Sequence, residues 1–226
     1  MVQHSKRYRA IVEKQERKAT YSIAEAVAEV KKNATAKFVE SVDLAIHLHI
    51  DPKQSDQLVR GSFALPNGTG KSVRVVAFAE GPDAEAARAA GAIFVGSDDL
   101  VDKIQKGWFE FDVAVAHPSM MRFVGKIGKV LGPKGLMPSP KSGTVTDDVG
   151  TAVREFAGGR IEFRNDAHGI ICVRVGNVKF DEQKLAENVQ AFVHHIMALR
   201  PAAVKGDYVL SATLSSTMGL GYRLAV

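Results

Sequence analysis

The hydrophobic pattern of this 226-residue chain changes period twice, and no other feature constrains its fold as tightly. From Val42 to Asp51, Leu44, Ile46, Leu48 and Ile50 alternate with Asp43, Ala45, His47 and His49. Period two with one apolar face predicts a half-buried strand of an antiparallel sheet. Val73–Phe78 (VRVVAF) is instead almost continuously apolar, as in a strand covered on both faces. Beyond Gly158-Gly159 the first texture returns, with strands at Arg160–Arg164 and Ile170–Val175. One kind of domain interrupts another.

The remaining signals fill in both kinds. Ser22 and Glu25 form a capping box that starts a helix fading near Asn33. A strand at Val59–Leu65 runs into the loop Pro66-Asn67-Gly68-Thr69-Gly70. The middle alternates short strands and helices: helix Pro82–Ala90, strand Ile93–Val95, helix Asp98–Lys106 capped by Ser97, strand Val113–Ala116, a helix from Ser119 to about Leu131, and a helix Thr146–Phe156. In the last third, Asn165–Gly169 reads as a hairpin loop between the two strands. A helix over Asp181–Leu199 stops at Pro201, and a strand Tyr208–Leu214 follows. The fold class is α/β (α+β). A discontinuous antiparallel two-layer α+β domain, residues 1–66 plus 159–226, carries an inserted Rossmann-like three-layer α/β domain, 67–158. The crossings 66–70 and 157–159 would form a double hinge at Gly68, Gly70, Gly158 and Gly159, because glycine absorbs backbone rotation cheaply.

Charge follows the same division. The chain is globular in composition, 46% hydrophobic and 24% charged, with a net charge of +5. The discontinuous domain holds 19 basic and 14 acidic residues, and the insert 11 of each. The insert is nevertheless polarised: residues 80–112 carry eight acids and three bases, whereas 122–141 carry five bases (Arg122, Lys126, Lys129, Lys134, Lys141) and no acid. That second stretch contains GKIGKVLGPKGLMP, a run of glycine and lysine suited to close approach to a polyanion. The first 20 residues add Lys6, Arg7, Arg9, Lys14, Arg17 and Lys18, a solvated arm or a phosphate contact.

Several chemistries are excluded. A lone cysteine, Cys172, supports neither a disulfide framework nor a multi-cysteine zinc site and reads as a core thiol. The charged start lacks a signal peptide, and no apolar run reaches the ~20 residues of a membrane helix, so a cytoplasmic protein with no membrane partner is expected. Gly70-Lys71-Ser72 ends like a phosphate loop, but Leu65 stands where the motif needs glycine and a strand follows. A nucleotide-binding enzyme on the insert is therefore the weaker alternative. His47, His49, His194 and His195 lack a third ligand at metal spacing. Ser215, Ser216 and Thr217 have no base beside them. No catalytic residue, cofactor or metal is expected. Two features fit RNA instead. Phe38 is either core or a platform for a base, and the Thr217-Met218-Gly219 loop is either a polar turn or a point of tight approach to ribose and phosphate.

The stretch LGPKGLMPSPKSGTV (131–145) closely resembles the signature of the first-numbered large-subunit ribosomal protein family, that of the mobile rRNA stalk beside the tRNA exit site. SKRYRA (5–10), TAKFVESVDL (35–44), GRIEFRND (159–166) and SSTMG (215–219) also resemble its bacterial members, so the likeness spans the chain. It implies the inserted two-domain architecture and rRNA binding by the discontinuous domain. By motif, the rRNA contacts would be Lys37, Phe38, Glu40 and Ser41; Asn165, Asp166 and His168; and Ser215, Ser216, Thr217, Met218 and Gly219. Glu40 would accept bonds from 2′-OH or base amino groups. Lys126, Lys129 and Lys134, with Arg122 and Lys141, would make a looser contact with rRNA and exit-site tRNA. The resemblance also implies binding of the protein's own messenger as a translational repressor, and a monomer when free of RNA. The family's usual proline after Thr-Met-Gly is here Leu220.

Overall fold

The computed structural model describes residues 5–14 and 20–225. Arg17, Lys18 and the side chain of Lys14, expected in a phosphate-contacting arm, lie outside the described residues. In chain order the elements are α1 (Lys6–Lys14), α2 (Ile23–Asn33), β1 (Ser41–Leu48), β2 (Arg60–Ala64), β3 (Val75–Phe78), α3 (Pro82–Ala89), β4 (Phe94–Gly96), α4 (Asp98–Gln105), β5 (Val113–Ala116), α5 (Met121–Lys126), α6 (Gly128–Leu131), α7 (Val149–Ala157), β6 (Arg160–Arg164), β7 (Ile170–Asn177), α8 (Glu182–Ala198), β8 (Val209–Ser216) and β9 (Gly221–Leu224). The fold is mixed α and β.

Two compact units result. One comprises residues up to Val59, Leu65–Gly70 and everything from Phe163 onward; the other comprises Arg60–Ala64 and Lys71–Glu162. The boundaries fall after residues 59, 64, 70 and 162 rather than at the expected 66/67 and 158/159, because β2 groups with the second unit and the 65–70 loop with the first.

The first unit is built on a four-stranded antiparallel sheet of order β7-β1-β8-β9. Alternation in β1 buries Val42, Leu44, Ile46 and Leu48 and leaves Ser41, Asp43, Ala45 and His47 half-buried on the other face. The capping box forms as the sequence predicts: Ser22 Oγ accepts from the Glu25 N–H at 3.3 Å, and Glu25 Oε2 accepts from the Ser22 N–H at 3.1 Å. It starts α2, which buries Ala26, Val27 and Val30. Helix α8 buries Leu185, Val189, Phe192, Val193 and Ile196.

The second unit holds a three-stranded parallel sheet of order β4-β3-β5. Its unbroken apolar run divides by face. Val76, Phe78, Ala114 and Ala116 pack with Leu100, Val101 and Ile104 of α4 and with Val124 and Leu131 of α5 and α6. Val75, Ala77 and Val115 pack with Ala84 and Ala87 of α3 and with Val149, Val153 and Phe156 of α7. Asp112 precedes β5 and accepts from the Arg74 N–H and Nε at 3.1 Å and from Lys71 Nζ at 3.3 Å. The Arg74 hydrogen bond, opposed by burial and aided by Lys71, holds its carboxyl at about 2.

Four sequence expectations are corrected. The helix expected from Ser119 to Leu131 is a 3-10 turn followed by α5 and α6, broken at buried Ile127 (φ −103°). Gly125 and Gly128 flank that break, and glycine is a poor helix residue. Ser97 stands at the N-cap of α4 but makes no side-chain capping bond. Strands β6 and β7 are not a hairpin pair: β6 pairs with β2, β7 pairs with β1, and a single bridge, Asn165–Ile171, links their ends. The reason is Asn165, whose N–H donates to Val59 O at 3.0 Å while its Oδ1 accepts from the Val59 N–H at 3.0 Å, so the chain changes partner there. Cys172 is exposed on β7 rather than buried in a core, because it alternates with Ile171 and Val173.

The 65–70 loop is bound to α8 by one fully buried amide. Asn188 Oδ1 accepts from the Asn67 N–H at 3.1 Å, and its Nδ2 donates to Gly68 O at 2.9 Å and Val175 O at 2.8 Å. Gly70 closes the loop at φ +69°, where a Cβ would press on the Phe180 ring and sit 2.6 Å from Asn177 Nδ2. Asn188→Leu keeps the branching, adds methyl bulk at a buried site and orphans three backbone groups. It is expected to cost about 2–4 kcal/mol, read from the urea midpoint. Asp112 gives a pH signature. Its folded value is depressed, so its stabilisation is complete above the ordinary aspartate value of about 3.9. It is lost as pH falls through about 2. Asp112→Asn should flatten the acid limb of the stability profile over that window.

Candidate nucleic-acid interface

The expected RNA residues gather at two ends of the four-stranded sheet. Register places Ser41 opposite Asn177 and Val42 opposite Ser216, whereas His47 lies opposite Ile170. Phe38, Ser41 and the 217–219 loop therefore share one end, and Asp166 and His168 share the other with Leu48, whose N–H donates to Gly169 O at 2.9 Å. Eight residues of β1 separate them, about 23 Å at ~3.3 Å per residue. The half-buried positions Asp43, Ala45, Ser211, Thr213 and Ser215 line the helix-free face between.

At the first end, the side chain that organises everything is Glu40. It is only 1% exposed, which corrects the expectation that its carboxylate meets RNA directly. Oε1 accepts from the Ala36 N–H at 3.0 Å and Oε2 from the Met218 N–H at 3.0 Å. Burial works against its charge. Hydrogen bonds from the Ser216 hydroxyl and from the Met218 and Ala36 amides, with the Arg7 guanidinium nearby, outweigh it and hold the carboxyl below the usual glutamate range. Segments 178 residues apart are thereby fixed to one group.

Three further contacts complete the loop. Thr217 Oγ1 accepts from the Ser41 N–H at 2.9 Å, and the Thr217 N–H donates to Ser41 O at 3.1 Å. Arg7 of α1 donates to Met218 O and, at 3.3 Å, to Thr35 Oγ1. A Cβ on Gly219 would strike Ser216 Oγ, the hydroxyl that serves Glu40, so glycine there is a requirement of close packing. Leu220, in place of the family's proline, is buried. This framework leaves Phe38 at 55% and Met218 at 52% exposure, beside exposed Lys37. Two large apolar side chains thus stand at the surface, and Phe38 is not part of the core.

At the other end the roles also divide. Asn165 is buried and committed to Val59, with its Nδ2 donating to Asp166 O at 3.0 Å. The exposed Asp166 accepts at Oδ1 from the Ile170 and His168 N–H groups, both at 2.8 Å, and these bonds lower its pKa. His168 remains open to solvent.

The basic run of the second unit is spread over several elements. Arg122 and Lys126 lie on α5, Lys129 on α6, Lys134 in the following turn and Lys141 in a separate 3-10 turn. Lys126 pairs with Asp98 at 3.4 Å, an acid from outside the run, and Lys134 Nζ sits 4.0 Å over the Phe109 ring. Among the described residues no cluster of His, Cys, Asp or Glu could hold a metal, and no helix is long and apolar enough to cross a membrane. Sequence reasoning missed Arg7 as a support of the loop; a separation of 211 positions leaves no local signal for it.

The model describing the ribosomal protein L1p/L10e family matches residues 30–220, a span that contains both ends of the interface. The chain belongs to this family. Among its L1p/L10e relatives, the large ribosomal subunit protein uL1 of Bordetella pertussis is 52% identical over 100% of this chain and 97% of its own. The uL1 proteins of Lactobacillus acidophilus and Thermobifida fusca are each 51% identical, covering 99% and 97% of this chain and 97% and 94% of theirs. L1p/L10e members are ribosomal proteins and not enzymes.

Glu40→Gln should leave the fold intact and loosen the 217–219 loop. An amide has one acceptor oxygen, so either the Ala36 or the Met218 N–H loses its partner. Amide exchange at Met218 is expected to rise by about tenfold or more, the loss of roughly one charge-assisted bond. In the unchanged protein the sign follows from the lowered carboxyl value. Its contribution is complete above the usual glutamate value of about 4.3 and disappears as pH falls through the folded value. A pH titration of the Met218 amide resonance checks this.

Proposed function

We propose that this protein is a structural constituent of the large ribosomal subunit, on cytoplasmic ribosomes, that binds the stalk region of large-subunit rRNA through its first unit. The observation that carries this reading is the loop at 217–219. Met218 and Phe38 stand exposed while every polar group that positions them is buried or bonded. RNA recognition favours such surfaces, because unstacked bases and riboses pack on apolar side chains while 2′-OH groups bond to neighbouring polar atoms. Thr213 and Ser215 extend the surface toward Asp166 and His168, and so the rRNA runs along the helix-free face and contacts both ends.

The second unit is read as the Rossmann-like three-layer insert, in keeping with a parallel sheet covered on both faces. It engages exit-site tRNA through Lys129, Lys134 and their neighbours and helps release it, moving on the chain crossings near Gly68, Gly70, Gly158 and Gly159. Gly68, Gly70 and Gly159 have positive φ, while Gly158 is helical. Because Asn188 binds the 65–70 loop, rotation falls on the residues just outside it. The free, monomeric protein represses its own messenger when that RNA presents the stalk's shape to the same surface.

A filter-binding titration with the stalk rRNA fragment across a range of KCl tests the reading. Phe38→Ala and Met218→Ala should each weaken binding by ~1–3 kcal/mol, the scale of a lost stacking contact. Simultaneous Lys129→Ala and Lys134→Ala should leave that affinity nearly unchanged and slow tRNA release from the exit site. Unchanged affinity in both Phe38→Ala and Met218→Ala would remove this surface from the rRNA site.

A further inference from the structure

Beside Phe38 lies a groove of ≈ 350 Å³ whose far wall, Val178 and Lys179, falls outside the motifs above. One wall is the 34–40 segment, with Phe38 and Val39 exposed. The other is the turn after β7, which contributes Val178 and Lys179. Each wall is fixed. The Val178 N–H donates to Glu40 O at 3.0 Å, joining one wall to the other. The Lys179 N–H donates to Asn177 Oδ1 at 3.1 Å, and Lys31 Nζ donates to Phe180 O at 2.8 Å, so the turn is held from below. On the opposite side, Glu40 Oε1 holds Ala36. The groove is thus preformed rather than a gap between mobile loops.

Its chemistry has two parts. Phe38, Val39 and Val178 offer an aromatic face and two branched aliphatic surfaces. Lys37 and Lys179 stand exposed at the rim, and among the described residues no ion pair engages either. The carboxylate of the wall segment, Glu40, is buried and has both oxygens spent on backbone amides. An apolar protein side chain entering such a groove would leave both ammonium groups without a partner. An RNA nucleotide satisfies both parts at once, with a flat apolar base inside and phosphates at the rim.

We infer that this groove receives one unstacked base of the bound RNA, packed between Phe38 and Val178, with the flanking phosphates on Lys37 and Lys179. Val39 and Val178 are then specificity-determining residues of the interface, and Lys179 adds affinity through phosphate. The inference rests on the rRNA-binding reading above and adds a separate subsite to it. A base must leave its stack to enter, so the groove selects RNA with a bulged or looped nucleotide at that point over a continuous helix.

The test uses the full-length protein and the stalk rRNA fragment, titrated at several KCl concentrations. Lys179→Ala is expected to weaken binding about threefold to tenfold and to lower the salt slope by roughly one, as for one lost phosphate contact. Val39→Ser should weaken binding with the slope unchanged. Phe38→Ala and Val39→Ser should be less than additive when combined, since both line one base site. All three positions are exposed, so circular dichroism and melting should match the unchanged protein. The inference is overturned if Lys179→Ala and Val39→Ser alter neither affinity nor slope while Met218→Ala still weakens binding. That result leaves the rRNA reading standing and the groove empty of RNA. Loss of all effects, Met218→Ala included, overturns the rRNA reading itself.

Discussion

A single buried carboxylate holds the interface together. Glu40 sits where the chain enters β1, accepts backbone amides from Ala36 and Met218, and draws in the Ser216 hydroxyl. Removing a carboxylate from water is costly, and the cost is met only when several donors converge on it. Here they do, and the loop and the 34–40 segment become one body. The exposed positions of Phe38 and Met218 follow. Neither could remain at a surface in a fixed orientation unless the backbone beneath it were over-determined, and preorganisation of that kind is what keeps the ordering cost of binding low.

The same sheet sets the layout of the proposed RNA surface. Antiparallel pairing puts Ser41 and Ser216 at one end and His47 and Ile170 at the other, and period two turns Asp43, Ala45, Thr213 and Ser215 to the helix-free side. Ala45 is small and Thr213 and Ser215 bear hydroxyls, with the Asp43 carboxylate beside them, so this face has little bulk. Shape and hydroxyl contacts can act there at close range. The charges at the rim, Lys37 and Lys179, supply affinity more than discrimination.

Much of this was legible in the chain, and what was not has identifiable causes. Alternation in Val42–Leu48, the capping box at Ser22 and Glu25, and the covered strands around Val75 and Val115 are local patterns and read correctly. The supposed hairpin at Asn165–Gly169 failed because turn chemistry cannot report a side chain that pairs with Val59, 106 residues away. The long helix after Ser119 failed because two glycines weakened it at Ile127 more than its apolar spacing supported it. Cys172 was placed in a core on residue type, whereas the alternation of its own strand turns it outward. Motif likeness put Glu40 in the RNA site, and only its burial distinguishes a residue that shapes the site from one that touches the ligand. Arg7 read only as one of several arm cations, since its bond to Met218 O is made by the fold.

Asn188 extends this logic to the chain crossings. A loop rich in glycine, Pro66 to Gly70, reads as flexible, yet three backbone groups of this region are committed to one buried amide and Gly70 is packed against Phe180. Glycine at φ +69° here serves close packing as much as freedom. A pinned loop cannot itself absorb a rotation, but it can define where one occurs. Asn67 and Gly68 are bonded to Asn188, so in the proposed hinge backbone change would fall on the residues beyond them. A glycine-rich linker with no such anchor would allow the second unit a wide cone of orientations. In the proposed hinge, an anchored loop would narrow that range.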